Sequence, residues 1–405
     1  MNTIVFIGSY KSGTSREALL CAKEMGYYVT LFTEKSSYKD SDFPEVDCLI
    51  YKKQLLEKDQ ILSSLAVLTS SGKQISACLS FIDPYVSFAA SIAEELGLNR
   101  LSINSLKLME DKLKFREVLK DSSVSPFYTV YKDGSSKKEF VKRYKDRLPL
   151  IVKPPISHGS RDVMLAKTRL QLRSTIKELA KKYPETSLLI EEYLNGPQYL
   201  IEVMVYKGEV KIAGVVEQEF SKENEFIITG YSYPADLKDE DYKALRESII
   251  SIAEKLNLKD GACHLEMRNT DGQWKLVEVN PRMAGGVMNK IIIEGTDINL
   301  VKEILKLHLG EEPKIEPKVN QYVHAKFLTV NTYGKLLEIT GESSALDHKG
   351  VKYVYIKPQS GAIISTPRTM GNRYGCIVAV GDTLDEAKDN AKSAAMEIKF
   401  FIDST

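Results

Sequence analysis

Cysteine and histidine are scarce in this chain, and neither is clustered. The five cysteines (Cys21, Cys48, Cys78, Cys263 and Cys376) include no CxxC pair, and the five histidines form no HxxxH or HExxH spacing. Structural zinc sites are therefore not expected. An odd number of scattered thiols also argues against a disulfide framework and fits a reducing, cytoplasmic compartment. Long apolar runs are missing, so no membrane span is expected. The opening MNTIVFIGSYKSG has a short apolar run with no charged segment ahead of it, unlike a secretory signal. An excess of either charge is missing as well, with 56 Lys plus Arg against 55 Asp plus Glu. No global field draws the chain to nucleic acid or to anionic lipid. Internal repeats and low-complexity tracts are absent.

What remains is a globular composition, 43% hydrophobic and 27% charged over 405 residues, enough for two or three domains. Residues 3–8, 28–33, 48–51 and 77–81 are short apolar strands separated by helical patterns at 14–26, 53–70 and 84–97. That alternation predicts a doubly wound parallel sheet, whose ligands bind at the carboxyl ends of the strands. Thr14 is a candidate cap for the first helix, with Gly26 as its stop. The loop Gly8–Gly13 has GxxxxG spacing, but Thr14 stands where a phosphate loop requires lysine. A plain turn, or a loop closing over a ligand, is left.

The most informative stretch is Gly261–Gly286, GACHLEMRNTDGQWKLVEVNPRMAGG. Asp271-Gly272 between two apolar runs predicts a tight hairpin. Glu266 lies five residues before the turn and Glu278 six after it, so they sit roughly opposite each other. Asn280 shares the face of Glu278, and Arg282 follows Pro281 at the strand end. Two carboxylates, an amide oxygen and a guanidinium then converge. Hard oxygen donors in so small a number suit Mg²⁺ bound together with phosphates.

Elsewhere, 109–119 reads as one charged helix, with a first domain boundary near residue 108. Leu148–Pro155 is a buried strand carrying Lys153. It leads into the small-residue loop Ser157, His158, Gly159 and Ser160, where backbone N–H groups can approach a phosphate. His158 could touch the phosphate or be solvated. Leu188–Leu194 ends a further strand, 198–218 is a hairpin turning at Lys207-Gly208, and helices are expected at 239–257, 296–309 and 384–401. Strands are expected near 322–329, 351–357 and 375–380, with Gly371–Gly375 a loop. Phe81, Asp83 and Tyr85 follow the fourth strand. Asp83 would suit an amino group, or Asp83-Pro84 could cap a helix. His264 shares the face of Glu266 and either borders the site or is a satisfied core histidine. Tyr231–Pro234 is either pocket wall or plain loop.

The ordered set Lys112, Lys153 with its Ser/Gly loop, Glu191-Glu192-Tyr193-Leu194, Glu266, Glu278, Asn280 and Arg282 resembles the ATP-grasp superfamily of carboxylate–amine ligases. EVNPRMAGG and the opening FIGSYKSGTSREALLCAKEMGYYVTLFT are similar to bacterial L-amino-acid ligases, which join two amino acids. The Met283-Ala-Gly-Gly continuation differs from the Gln-Val-Glu run of biotin-dependent carboxylases, and the Asn-Thr-x-Pro-Gly ending of D-alanine ligases is absent. The resemblance implies an α/β pre-ATP-grasp domain at 1–108, a small α+β lid at 109–195, and a large grasp subdomain with a C-terminal extension at 196–405. It implies that Lys112, Lys153 and Ser157–Ser160 contact the phosphates of ATP, that Glu191, Glu192, Tyr193 and Leu194 border adenine, and that Glu191 or Glu202 reaches the ribose. Glu266 and Glu278, completed by Asn280, would bridge two Mg²⁺ ions, with Mn²⁺ a substitute. Arg282 would hold the substrate carboxylate and then the acyl phosphate. Gly285 and Gly286 would let the backbone approach an anion at a helix start. Partners would be small-molecule amino acids, with a homodimer allowed. The alternatives are another acid or amine in natural-product or cofactor biosynthesis, and a nucleotide-binding module without turnover.

Overall fold

The four apolar runs near the amino terminus form β1 (Asn2–Ile7), β2 (Tyr28–Thr33), β3 (Cys48–Tyr51) and β4 (Gln74–Leu79). They pair in parallel in the order β3-β2-β1-β4. Helix α1 (Thr14–Glu24) joins β1 to β2 and α2 (Lys58–Ser70) joins β3 to β4, with α3 (Val86–Glu95) following β4, in line with the expected alternation. The computed structural model describes residues 1–156, 162–221, 227–367 and 369–403. Helix α1 buries Ala18, Leu19, Cys21 and Ala22 against the sheet and ends at Gly26, whose φ is +85°. Thr14 does not cap it. Gly13 occupies the cap position at φ +76°, and Thr14 Oγ1 instead donates to Ala284 O at 2.8 Å. The loop Gly8–Gly13 thereby packs on the segment after the hairpin, where a Cβ on Gly13 would meet Gly286 N at 3.1 Å.

The expected helix at 109–119 begins only at Lys112, as α5 (Lys112–Leu119), after a separate α4 (Ile103–Met109). The break is chemical: Asp111 is extended and its carboxylate accepts the N–H groups of Leu113 and Lys114, starting a new helix. A four-stranded antiparallel sheet follows, from β5 (Tyr128–Tyr131), β6 (Leu150–Lys153), β7 (Met164–Ala166) and β8 (Leu188–Glu192), in the order β5-β8-β6-β7. Helices α6 (Lys137–Tyr144) and α7 (Arg169–Lys182) cover one of its faces.

The largest layer is an eight-stranded sheet in the order β13-β12-β9-β10-β11-β14-β18-β16. Its strands are β9 (Gln198–Tyr206), β10 (Glu209–Phe220), β11 (Ile228–Tyr233), β12 (Gly261–Thr270), β13 (Gln273–Asn280), β14 (Tyr322–Leu328), β16 (Val351–Ile356) and β18 (Gly375–Gly381). Between them run α8 (Asp239–Lys255), α9 (Met288–Thr296), α10 (Leu300–Leu309), β15 (Gly334–Thr340), α11 (Glu342–Leu346) and β17 (Ile363–Ile364). The expected 296–309 helix begins only at Leu300, because Asp297 turns left-handed at φ +62° and Asn299 caps the next helix. At the carboxyl end α12 (Leu384–Glu397) stops four residues early, and Lys399–Asp403 forms β19, pairing with β15. This small β17-β15-β19 sheet was not legible as periodicity.

Core packing joins these parts. Leu200, Met204 and Val216 of the large sheet share one cluster with Leu19 and Phe6 of the first domain, bridged by Met283, Met288 and Ile291. Leu106 and Phe115 of α4 and α5 pack with Ile249 of α8 behind the hairpin.

Candidate active site

The β12–β13 hairpin turns at Asp271-Gly272 with φ values of +51° and +80°, the conformation that a two-residue loop of this composition favours. Glu266 and Glu278 are direct cross-strand partners, and so are His264 and Asn280. The unequal counts of five and six residues from the turn are absorbed by a bulge, which lets Met267 pair with Leu276 and leaves Val277 as the extra residue. The bulge turns two carbonyls outward. Arg116 Nη2 takes both, Leu276 O at 2.7 Å and Val277 O at 2.9 Å.

The two carboxylates open onto a cavity of about 360 Å³. It is walled by Lys153 and the Glu191–Leu194 strand end, by Gln198 and Arg268 of the large sheet, by Arg282, Gly285 and Gly286, and by Phe327, Met370 and Arg373 from the carboxy-terminal region. Burial drives both carboxyls up. At Glu278 the charges of Lys112, whose Nζ lies 3.1 Å away, and Lys153 outweigh it and hold the group below the usual range. Glu266, also buried and facing the charge of Glu278, is pushed up to about 7 despite Lys112 and Lys153. Its Oε2 accepts from Gln198 Nε2 at 3.1 Å. Two facing carboxylates, one of which resists ionisation near neutrality, form a pair that a cation would stabilise.

His264 is both cavity wall and satisfied. Its Nδ1 lies 2.9 Å from the Arg282 carbonyl, which can only accept, so Nδ1 carries the proton. Nε2 is then the acceptor for Asn280 Nδ2 at 3.1 Å. Burial, with the nearby Arg282 charge, takes this imidazole down to about 4, so it is neutral. With its amide nitrogen held by His264, Asn280 presents its oxygen as the end left for a cation or a donor.

Arg282 is clamped. Its Nε and Nη2 donate to Asp83 Oδ2, the former at 2.8 Å, and Nη1 donates to Met283 O at 3.0 Å. Three of its five N–H groups are engaged. Asp83, expected to meet a substrate amine, thus binds this arginine across 199 residues of sequence. It does not cap α3 either, which starts after Tyr85. Lys153 Nζ lies 2.5 Å from Glu191 Oε2, and Arg116 Nε donates to Glu191 Oε1. Burial raises Glu191, but the Arg116 and Lys153 charges outweigh it and take the carboxyl to about 2. Glu191 is therefore the counterion of two buried cations. Glu192 and Leu194 are tied in by Phe127 N, which donates to Glu192 Oε1 at 2.9 Å, and by Arg268 Nη1, which donates to Leu194 O at 2.7 Å.

Two expected contacts, Glu202 and Phe81, lie elsewhere. Glu202 is fully buried beneath the cavity wall, where its Oε1 accepts Ala284 N at 3.0 Å and burial pushes the carboxyl up to about 8. Phe81 is 4% exposed and packs in the core. Of Tyr231–Pro234 only Tyr231 reaches the cavity; Tyr233 fills the core, and Ser232 turns to the opposite face of the sheet. Gly285 and Gly286 line the cavity, but α9 begins two residues later at Met288. Ser157, His158, Gly159 and Ser160 fall outside the described residues. Arg116, Gln198, Arg268 and Arg373 were not singled out from sequence; only the Gly-Asn-Arg-Tyr-Gly loop around Arg373 carried a local signal.

Residues 146–290 match the ATP-grasp domain family, and residues 326–403 match L-amino acid ligase C-terminal domain 2. The central part of the chain is thus of the ATP-grasp domain type. The carboxy-terminal region is of the L-amino acid ligase type. Over its whole length the fold is similar to the crystal structure of an L-amino acid ligase from Bacillus licheniformis, with a TM-score of 0.84 and 21% identity, covering 100% of this chain and 99% of that one. An uncharacterized protein of Sinorhizobium fredii is 27% identical over 261 residues, 63% of this chain and 53% of that protein. Dapdiamide A synthase of Enterobacter agglomerans is 26% identical over 262 residues, 62% of this chain and 57% of that protein. The chain thus spans little more than half the length of these two curated relatives. Among the described residues no helix is long and apolar enough to cross a membrane.

Proposed function

We propose that this protein is an ATP- and Mg²⁺-dependent ligase that joins the carboxylate of one amino acid to the amino group of another, releasing ADP and phosphate. The observation that carries this reading is the facing pair Glu266 and Glu278, with Asn280 and a clamped Arg282, in one cavity with Lys153 and the Glu191–Leu194 strand end. The match of the carboxy-terminal region to L-amino acid ligases supports amino acids as the reactants.

The donor set fits a divalent cation. The carboxylates of Glu266 and Glu278 and the oxygen of Asn280 are hard ligands, and the raised Glu266 is the group that a cation would ionise. A cation held there would neutralise the phosphate oxygens that an anionic nucleophile has to approach. The chain's own residues do the rest. Lys153, paired with Glu191, would lie near the base, and Lys112, paired with Glu278, would serve the phosphates. The free N–H groups of Arg282 hold the reacting carboxylate in line with the γ-phosphoryl group. The carboxylate oxygen forms a bond to phosphorus as the bond to the β-phosphate oxygen breaks, giving an acyl phosphate and ADP. The same guanidinium steadies the oxygen that gains charge when the amine adds and phosphate departs. Exclusion of water from the cavity protects the acyl phosphate from hydrolysis.

Phosphate release measured over pairs of amino acids tests the reading: release requires ATP, Mg²⁺, a carboxylate and an amine together. Hydroxylamine should trap an ATP-dependent acyl hydroxamate. Release with no amino-acid pair, but with another acid or amine from a metabolite extract, would move the substrate class to the one that the dapdiamide relative suggests.

A further inference from the structure

Arg373 enters the cavity from the loop that precedes β18, on the side away from the hairpin. Its guanidinium carbon stands 4.0 Å from the centroid of the Phe327 ring, and its Nε donates to Met370 O at 3.3 Å. Its Nη1 is buried and has no hydrogen-bond partner. The other guanidiniums around the cavity have carboxylate or carbonyl partners within the chain, although Arg116 Nη1 is likewise buried without one. Arg282 is held by Asp83, Arg116 by Glu191 and two carbonyls, and Arg268 by Gln198 and Leu194 O. Among the described residues no carboxylate forms an ion pair with Arg373. Burying a charged donor without an acceptor is unfavourable, so the arrangement calls for one from outside the chain.

A second observation points the same way. Gln218, 5% exposed, has neither amide atom bonded. It is the direct cross-strand partner of Tyr231 and so shares its face. Tyr231 packs edge-on against Phe327, ring centroids 5.1 Å apart, the same ring on which Arg373 stacks. Burial raises the Tyr231 hydroxyl, and the Arg373 charge, with polar contacts from Arg373 and Gln218, opposes that rise. Arg373 and Tyr231 therefore share one wall of the cavity, and the Gln218 amide is buried beside Tyr231. Strands β9 and β10 lie between Tyr231 on β11 and the carboxylate pair on β12 and β13.

We propose that Arg373, braced on Phe327, is a second oxyanion-binding group of this cavity, separate from Arg282. The inference rests on the ligase reading for the identity of the reactants. Two of them carry an oxyanion that Arg282 does not handle: the carboxylate of the amine-bearing amino acid and the phosphates of the nucleotide. A stacked, planar fork recognises either through paired N–H donors.

The test compares the full chain with Arg373→Gln, Arg373→Lys and Phe327→Leu. Calorimetric titration with the non-hydrolysable nucleotide AMP-PNP and Mg²⁺ reads the phosphate source. The KM for the amine-bearing amino acid, from phosphate release, reads the carboxylate source. If the amino-acid carboxylate is the ligand, Arg373→Gln raises that KM by about 10- to 100-fold, the span of a charge-assisted hydrogen bond, and leaves the nucleotide affinity within about 2-fold. The corresponding amino-acid amide, which lacks the carboxylate, then serves wild type and variant equally. If a phosphate is the ligand, the nucleotide affinity falls by a similar factor instead. Arg373→Lys recovers part of the loss, and Phe327→Leu shows a smaller loss in the same constant, which decides the matter should Arg373→Gln not fold. Unchanged constants in both titrations overturn the proposal. Should no amino-acid pair release phosphate from the wild type, the ligase reading fails by itself, and the nucleotide titration alone decides Arg373: an unchanged affinity overturns its role.

Discussion

The two faces of the eight-stranded sheet carry similar groups and have different fates. On the cavity face His264 sits among Glu266, Glu278 and Asn280. On the opposite face His324 sits with Ser232, its Nδ1 3.1 Å from the hydroxyl, and with Glu219, under α12. Burial takes both imidazoles down to about 4. On the α12 face Glu219 is matched by Lys388 at 2.7 Å, and its carboxyl is held low. On the cavity face Glu266 is pushed up to about 7 and the groups open onto about 360 Å³ of space. A buried histidine beside carboxylates is thus no mark of a site in itself. What separates the two faces is charge left unbalanced next to room for a ligand.

Substitutions should therefore split by face, with turnover lost on one and only stability lost on the other. The largest effect is expected from the group that underlies the cavity face. Arg116 is fully buried and joins Glu191 of the small sheet to the bulge carbonyls of β13. Arg116→Met should destabilise the fold by about 3 kcal/mol, because two carbonyls and half of the Glu191 charge compensation are lost in a dry setting. Urea unfolding measures this. A midpoint unchanged from wild type would mean that Arg116 does not couple the two sheets. Next is Arg282→Ala, expected to lower kcat by about 100- to 1,000-fold while AMP-PNP affinity stays close to wild type. Because Asp83 would be left buried without its partner, Asp83→Asn added to Arg282→Ala should restore stability but not turnover. Lys388→Ala, the matching change on the other face, should leave kcat alone. Normal turnover in Arg282→Ala would remove the acyl-phosphate role.

The parts of this site that were legible in the sequence are those within one turn or one strand pair of each other. Asp271-Gly272 sets a two-residue turn, and alternation then brings Glu266, Glu278, Asn280 and His264 to one face. The bulge that makes the counts work has no side-chain signature, and the carbonyls it frees for Arg116 were invisible with it. Asp83 was legible as a polar residue at a strand end, but its partner lies 199 residues away, and no local pattern separates a substrate contact from an arginine clamp. Glu202 shows the same limit: it sits one strand from His264 in perfect register, yet the chain after Arg282 folds over it. The parallel sheet of the first domain was readable because buried strands are continuous apolar runs. The small β17-β15-β19 sheet, short and half exposed, was not.

A finer cut through the cavity face comes from the carboxylates. Glu278→Gln should lower the apparent Mg²⁺ affinity, read by titrating turnover with MgCl₂ at saturating ATP, by about 10- to 100-fold. The loss of charge at position 278 also removes the repulsion on Glu266, so the remaining carboxyl should ionise more easily than in the wild type. Glu219→Gln on the other face should leave the Mg²⁺ dependence unchanged. A shared response would erase the distinction drawn between the faces.

The smallest effect expected is a slope. His324 is held near 4 by burial, against 6.5 in an unfolded chain, with Glu219 pulling the other way. As pH falls from 6.5 toward 4, the unfolded state takes up the proton and the folded state does not. Stability from this group is complete above 6.5 and declines through that window, by at most about 1.4 kcal/mol per pH unit. His324→Gln removes one proton-binding site from the unfolded chain, so its urea midpoint should fall less steeply with pH over that window than the wild type's does. His308, also held near 4 by burial, leaves part of the slope in place. The amide can still meet Ser232, so the variant's midpoint above pH 7 should lie close to wild type. An identical slope in wild type and His324→Gln would show that His324 is already protonated beside the ionised Glu219 in the folded state, where a neutral imidazole is inferred.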